Sequence, residues 1–210
     1  MFKQLYLLLF ACLIFTGAAA AQEKVKLKTG DFIFQNIACG PLCDAINAVT
    51  QGYQGNKFNH MGMVYLRNDS VLIIEAIGKD VHLSPLKDFL SRSKSPHYTG
   101  RLKSSYQKDI PAALSFAMKQ MGVKYDTEFL YDNGMYYCSE LIYDAFKYAN
   151  NGKPFFKLYP MTYKEPGSGD YFPVWKAYFE QLNMEVPEGK PGCNPGGISL
   201  SDKIDMIGTL

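Results

Sequence analysis

Histidine, cysteine and tryptophan are scarce in this chain: three His, five Cys and one Trp in 210 residues. No Cys or His cluster has the spacing of a zinc site, so no metal and no cofactor is implied. A charge excess is also missing. The 22 Lys and Arg nearly balance the 20 Asp and Glu, which excludes a polybasic protein that binds nucleic acid or a membrane surface. Beyond the N-terminal stretch no apolar run reaches membrane-spanning length, so residues 22–210 hold no transmembrane segment. No internal repeat and no linker divides them. Those residues suffice for one domain with a sizeable core.

What is present begins at the N-terminus. Lys3 precedes a nearly continuous apolar run over residues 5–15, and residues 18–21 are all alanine. This is the pattern of a secretory signal peptide, with residues 1–21 removed. The predicted protein is exported, to the periplasm or beyond. Leu9-Phe10-Ala11-Cys12 ends in a cysteine, but Phe10 is bulky and the apolar run continues past Cys12, which argues against a lipoprotein. Aromatic residues are abundant, with 14 Phe and 15 Tyr; they supply a packed core and an aromatic-lined cleft.

Four cysteines follow the predicted cleavage point: Cys39, Cys43, Cys138 and Cys193. An oxidising compartment favours pairing. The i, i+4 spacing of Cys39 and Cys43 is awkward for a bridge within one helix. The expected bridge therefore joins Cys193 to one of them and leaves Cys138 free.

Read in order, the chain gives a short strand over residues 32–35 and a helix over 39–49. A Gly- and Asn-rich loop follows. Residues 58–66 and 71–77 are apolar runs about the turn 67–70, the signature of a β-hairpin. A third strand at 81–84, a short helix over 85–92 and a strand over 98–103 come next. Residues 109–121 form an amphipathic helix stopped by Gly122. After Pro154 the chain is rich in Pro, Gly and Tyr, and only residues 174–182 read as helical. Successive strands joined by short turns, followed by helices, imply an α+β fold with an antiparallel sheet packed against helices.

The strongest chemical signal lies at residues 136–146. Leu141, Ile142, Ala145, Phe146 and Ala149 form one apolar helix face, and Asn150, Asn151 and Gly152 end it. Cys138 thus sits in the first turn of a packed helix, where free N–H groups and the helix dipole favour a thiolate. A thiol nucleophile needs a base. His97 lies in a polar loop and reads as solvated; His82 reads as a surface residue at a strand start. His60 stands inside an apolar strand. On the partner strand Glu75 is a lone carboxylate in an apolar run, expensive unless paired. A turn centred on Asn68-Asp69 puts His60 and Glu75 on one face of the hairpin. A carboxylate there would orient the imidazole and raise its basicity. Cys43 also falls in a first helical turn, but its neighbour Cys39 points to a structural role.

Gly30 to Gln35, Phe58 to Val64, Ile74 to Ile77 and Tyr137 to Ile142, in this order, resemble the permuted NlpC/P60 papain-like cysteine peptidases and amidases of the YaeF/YiiX-like group. The resemblance implies a circularly permuted papain-like fold, a small antiparallel sheet or barrel with the cysteine on a packed helix. It implies Cys138 as nucleophile, His60 as base and Glu75 as the orienting residue. Tyr137 and Tyr125 are candidate oxyanion donors. Gln35 and Gln51 are polar candidates near the site. The expected activity is hydrolysis of an amide bond, with a peptide or amide-containing small molecule, such as a cell-wall peptide, as substrate. Two alternatives stay open: a thiol-dependent lipid acyl hydrolase or acyltransferase, and a non-catalytic envelope binding module.

Overall fold

The computed structural model describes residues 25–210, and the predicted signal peptide lies outside the described residues. The elements run β1 (Phe32–Gln35), α1 (Pro41–Val49), β2 (His60–Arg67), β3 (Ser70–Ile77), β4 (Asp80–Pro85), α2 (Leu86–Ser91) and β5 (Tyr98–Leu102). Then come α3 (Ile110–Lys119), α4 (Cys138–Ala149), β6 (Tyr159–Pro160), α5 (Pro173–Gln181), β7 (Pro191–Gly192), α6 (Pro195–Ser199) and β8 (Ile204–Thr209). The main sheet has the order β4-β3-β2-β1-β5-β8 and stays open rather than closing into a barrel. Every neighbouring pair in it is antiparallel. β6 and β7 form a separate two-stranded ribbon.

Strand alternation divides the core in two. Phe32, Phe34, Met61, Met63, Ile74 and Ala76 share a core with Leu141, Ile142, Ala145 and Phe146 of α4 and with Ala113 and Ala117 of α3. Ile33, Val64 and Ile73 pack instead with Phe89 of α2. Each such side chain, fully buried, contributes roughly 1.5–3 kcal/mol. The amphipathic face of α4 read from the sequence is therefore its sheet-facing face. Its last turn closes where Asn151 takes a left-handed φ of 56° and the Gly152 N–H donates to the Lys147 carbonyl at 2.8 Å.

The hairpin register follows the predicted turn: Met63 opposes Ile74 and Arg67 opposes Ser70. Gly62 is required in β2 because a Cβ there would collide with Ile73 and crowd Phe89, which packs over this face.

Three expectations are corrected. The disulfide joins Cys39 to Cys43, and Cys193 is free. The helix begins only at Pro41, and Gly40, at φ 72°, turns the chain just before it. Cys39 therefore lies outside the helix, with its Cα 5.2 Å from that of Cys43, inside the range a bridge spans. His97 is buried rather than solvated, and burial pushes its imidazole pKa down. The segment after Pro154 is more ordered than its composition suggests: besides α5 it supplies β6, β7, α6 and the edge strand β8.

Candidate active site

Cys138 is the first residue of α4. Its N–H belongs to the first helical turn, whose donors have no intrahelical acceptor. Glu140, two residues on, accepts from the Tyr137 N–H at 3.4 Å and from the Asp132 N–H at 3.0 Å. Burial raises the Glu140 carboxyl to about 8, against the pull of those two hydrogen bonds. Cys138 is 5% exposed and lines the adjoining cavity.

His60 opens β2 and pairs with Gln35 across β1. Its Nε2 lies 2.6 Å from Glu75 Oε2. The Cys138 thiol interacts electrostatically with the ring, and its Sγ donates to the Asn59 carbonyl at 3.9 Å. His60, Cys138 and Glu75 are 4%, 5% and 0% exposed, so the thiol, the imidazole and the carboxylate are all buried. Burial opposes the imidazolium, but the interactions with Cys138 and Glu75 outweigh it and raise His60 to about 9.

Glu75 is held by more than His60. Arg92, just after α2, donates from Nη1 to Oε2 at 2.7 Å and from Nη2 to Oε1 at 2.5 Å. Arg92 Nη2 also donates to Ser84 Oγ at 3.1 Å. Burial alone would raise the Glu75 carboxyl; the hydrogen bonds from His60 and Arg92 hold it down at about 2. Glu75 is thus an ionised carboxylate at neutral pH, and the fork geometry of Arg92 fixes its plane. Phe89 lies against the His60 ring, with centroids 5.5 Å apart.

Arg92 is the site residue that reading the sequence missed. It stands at the end of a short helix, in line with no strand period. Only the fold of α2 back over β3 brings it to Glu75. Asp126 was missed as well. It is fully buried and accepts from the backbone N–H groups of Glu128, Phe129 and Leu130. These bonds shape the loop that carries Tyr125 and Phe129.

The four secondary candidates separate. Tyr125 lines the cavity with Cys138. Burial first, and the nearby Cys138 second, push its phenol well above the ordinary value, so it stays an O–H donor. Tyr137 also lines the cavity, but its hydroxyl accepts from the Cys193 N–H at 3.1 Å. Together with the bond from Ser139 Oγ to the Cys193 carbonyl at 3.1 Å, it ties the start of α4 to the C-terminal segment. Gln35 is fully buried beside His60, and its amide has no hydrogen-bond partner among the described residues. Gln51 is exposed and lies outside the cavity lining.

The cavity has a volume of about 310 Å³. Ile46 and Val49 of α1, Tyr125, Phe129 and the start of α4 form part of its wall; residues 159–163, Trp175 and residues 192–195 form more than half of it. Most of the wall thus comes from chain beyond Pro154.

A sequence model of the family described as permuted papain-like amidase enzymes, YaeF/YiiX, C92 family, matches residues 26–204. An uncharacterized protein of Escherichia coli (strain K12), YiiX, is 28% identical over 148 residues, which cover 68% of this chain and 67% of that protein. The crystal structure of metalloprotein YiiX from Escherichia coli O157:H7, DUF1105, superposes with a TM-score of 0.69 at 22% identity, covering 87% of this chain and 97% of that one. That likeness is one of fold. The residues here do not suit a metal: among the described residues no three His, Cys, Asp or Glu are grouped to hold one. Both oxygens of Glu75 are already engaged by Arg92 and His60.

Proposed function

Since the chain belongs to the permuted papain-like amidases of the YaeF/YiiX, C92 family, we propose that it is an exported thiol hydrolase that cleaves an amide bond with Cys138, His60 and Glu75. The observation that carries this reading is the hydrogen-bonded chain from His60 through Glu75 to Arg92, buried beside a thiol at the start of α4 whose interaction raises His60.

In the proposed reaction His60 takes the thiol proton and the Cys138 sulfur attacks the substrate carbonyl carbon, forming a C–S bond. The oxyanion is met by the Cys138 N–H and the Tyr125 hydroxyl. Collapse breaks the C–N bond as His60 protonates the departing amine. Water, deprotonated by His60, then attacks the thioester, releases the acid and restores the thiol. Glu75 holds the tautomer and the imidazolium throughout, and Arg92 holds Glu75.

Export is supported by the N-terminal sequence pattern and by the Cys39–Cys43 bridge, a pairing that oxidising compartments maintain. A cell-wall peptide is one amide substrate such a location offers. A second reading, hydrolysis or transfer of a lipid acyl group, is favoured by the cavity beside Cys138, whose lining has no charged side chain.

Alkylation tests the centre without a known substrate. Iodoacetamide should modify Cys138 rapidly at pH about 6, where an isolated thiol of pKa about 8.5 is almost wholly protonated. His60→Ala should slow it at least tenfold while the circular dichroism spectrum is unchanged. Equal, slow rates in both proteins would remove the nucleophile and leave a binding module.

A further inference from the structure

The cavity that adjoins Cys138 has a composition that the proposed chemistry does not require. Nineteen residues line it, and none is Asp, Glu, Lys, Arg or His. Its wall is largely aromatic and aliphatic, with Val49, Phe129, Tyr159, Met161, Tyr163 and Trp175, and its polar side chains, those of Thr50, Asn59, Ser139, Thr162 and Asn194 among them, are uncharged. An ionised group placed there would lose its water and gain no counter-charge. Stem peptides bearing free carboxylates and ammonium groups are therefore poor occupants.

The position of the cavity relative to His60 decides which part of the substrate fills it. Cys138 and Ser139 line it, whereas His60 does not. His60 must reach the leaving group to protonate it, so the leaving group departs on the His60 side of the sulfur. The carbonyl's other substituent, which stays on sulfur as the thioester, then faces the cavity. Resting on the nucleophile assignment above, we infer that this cavity is an acyl pocket, which binds an uncharged, predominantly apolar acyl group of an amide or ester substrate. At about 310 Å³ it falls at the lower end of ligand-pocket volumes, room for an acyl chain rather than a folded peptide.

The test uses p-nitrophenyl esters, which acylate a competent thiol whatever the natural leaving group. Acetyl, butyryl, hexanoyl, octanoyl and decanoyl esters are compared by nitrophenolate release and by the mass of the Cys138 thioester, with Cys138→Ala as the blank. The acylation rate constant at subsaturating ester should climb about fourfold per added methylene until the pocket is full, the transfer free energy of one buried methylene. A hemisuccinyl ester should react far more slowly than its neutral methyl ester. Val49→Phe, which narrows the pocket, should lower the decanoyl-to-acetyl ratio at least tenfold; Tyr159→Glu, on the exposed rim, should lower it likewise should the first variant not fold. A flat series with rapid alkylation of Cys138 would overturn the acyl pocket and leave the nucleophile standing. A length dependence found only when the amine side of an N-acetyl amide series is extended would overturn it too. No nitrophenolate above the blank, together with alkylation no faster than in His60→Ala, would remove both readings. Matching amides and esters of the best acyl group then separate amidase from esterase chemistry.

Discussion

Two regions meet at Cys138, and they are built on opposite principles. On the sheet side, His60, Glu75 and Arg92 form a buried cluster in which every charge has a partner at hydrogen-bond distance. On the other side, residues 159–195 help to enclose a cavity without a charged lining residue. Ionic hydrogen bonds fix the geometry of the first region, and apolar packing fixes the second. On the proposed reading, reactivity and selectivity fall in different parts of the chain. The first can be destroyed by removing a single atom pair; the second changes gradually with side-chain volume.

Removal of the sulfur gives the largest effect expected. Cys138→Ala should reduce turnover of any accepted substrate by at least about 10⁴-fold, the scale seen when a nucleophile is lost from a catalytic unit, with the melting temperature nearly unchanged.

Breaking the ionic region from behind should cost stability as well as rate. Glu75→Ala leaves Arg92 and His60 without their common carboxylate. Loss of one partner from a buried charge pair costs about 3–5 kcal/mol, measurable as a shift of the urea midpoint. Glu75→Gln keeps the shape and should cost less, while still slowing Cys138 alkylation. An alkylation rate equal to wild type in Glu75→Gln would show that the carboxylate does not tune His60.

Acidity breaks the same region without mutation. His60 is held at about 9 against an ordinary 6.5. Its contribution to stability is complete below 6.5 and disappears as pH rises through about 9. Glu75 is held at about 2 against an ordinary 4.5. Its contribution is present above 4.5 and disappears as pH falls toward 2. Urea midpoints should therefore decline on both flanks; His60→Ala should flatten the alkaline flank and, by removing one of the two hydrogen bonds that hold Glu75 down, also shrink the acid flank. An unchanged alkaline flank in that variant would contradict the raised imidazole.

The smallest effect is expected at the disulfide. Cys39→Ser with Cys43→Ser opens a very short loop and should lower stability by about 2 kcal/mol on chain-entropy grounds, read from thermal unfolding with and without reductant. Cys138 alkylation should keep its wild-type rate.

The two regions were unequally legible in the sequence. His60 and Glu75 announced themselves as polar residues inside apolar runs, and a period of two joined them through one turn. Cys138 announced itself through the apolar face that follows it. These signals are local, and the hairpin register was reachable from them. Arg92 and Asp126 gave no such signal, because their partners are fixed by how α2 and the 125–136 loop fold back. The cavity wall was illegible for a different reason. Met161 and Tyr163 lie among Pro and Gly residues with no periodicity; Trp175 falls in the helix expected over 174–182, but its packing against Tyr163 and Phe129 depends on segments the sequence does not join. The Cys39–Cys43 pairing was misread because the helix start was placed two residues early, at Cys39 rather than Pro41.

The edge strand β8 has a consequence for the order of assembly. Its partner β5 lies about a hundred residues earlier, Leu102 opposing Ile204, so their pairing closes a long loop at a substantial entropic cost. His60 and Glu75, by contrast, are brought together by a hairpin of eight-residue strands. Contacts between distant segments form late in folding. A refolding chain should therefore protect the β2–β3 amides first and those of β5 and β8 last, an ordering that pulsed hydrogen exchange resolves. During that interval the ionic cluster has its scaffold while the walls around Cys138 are still unformed, and the thiol is open to oxidants and to any electrophile present.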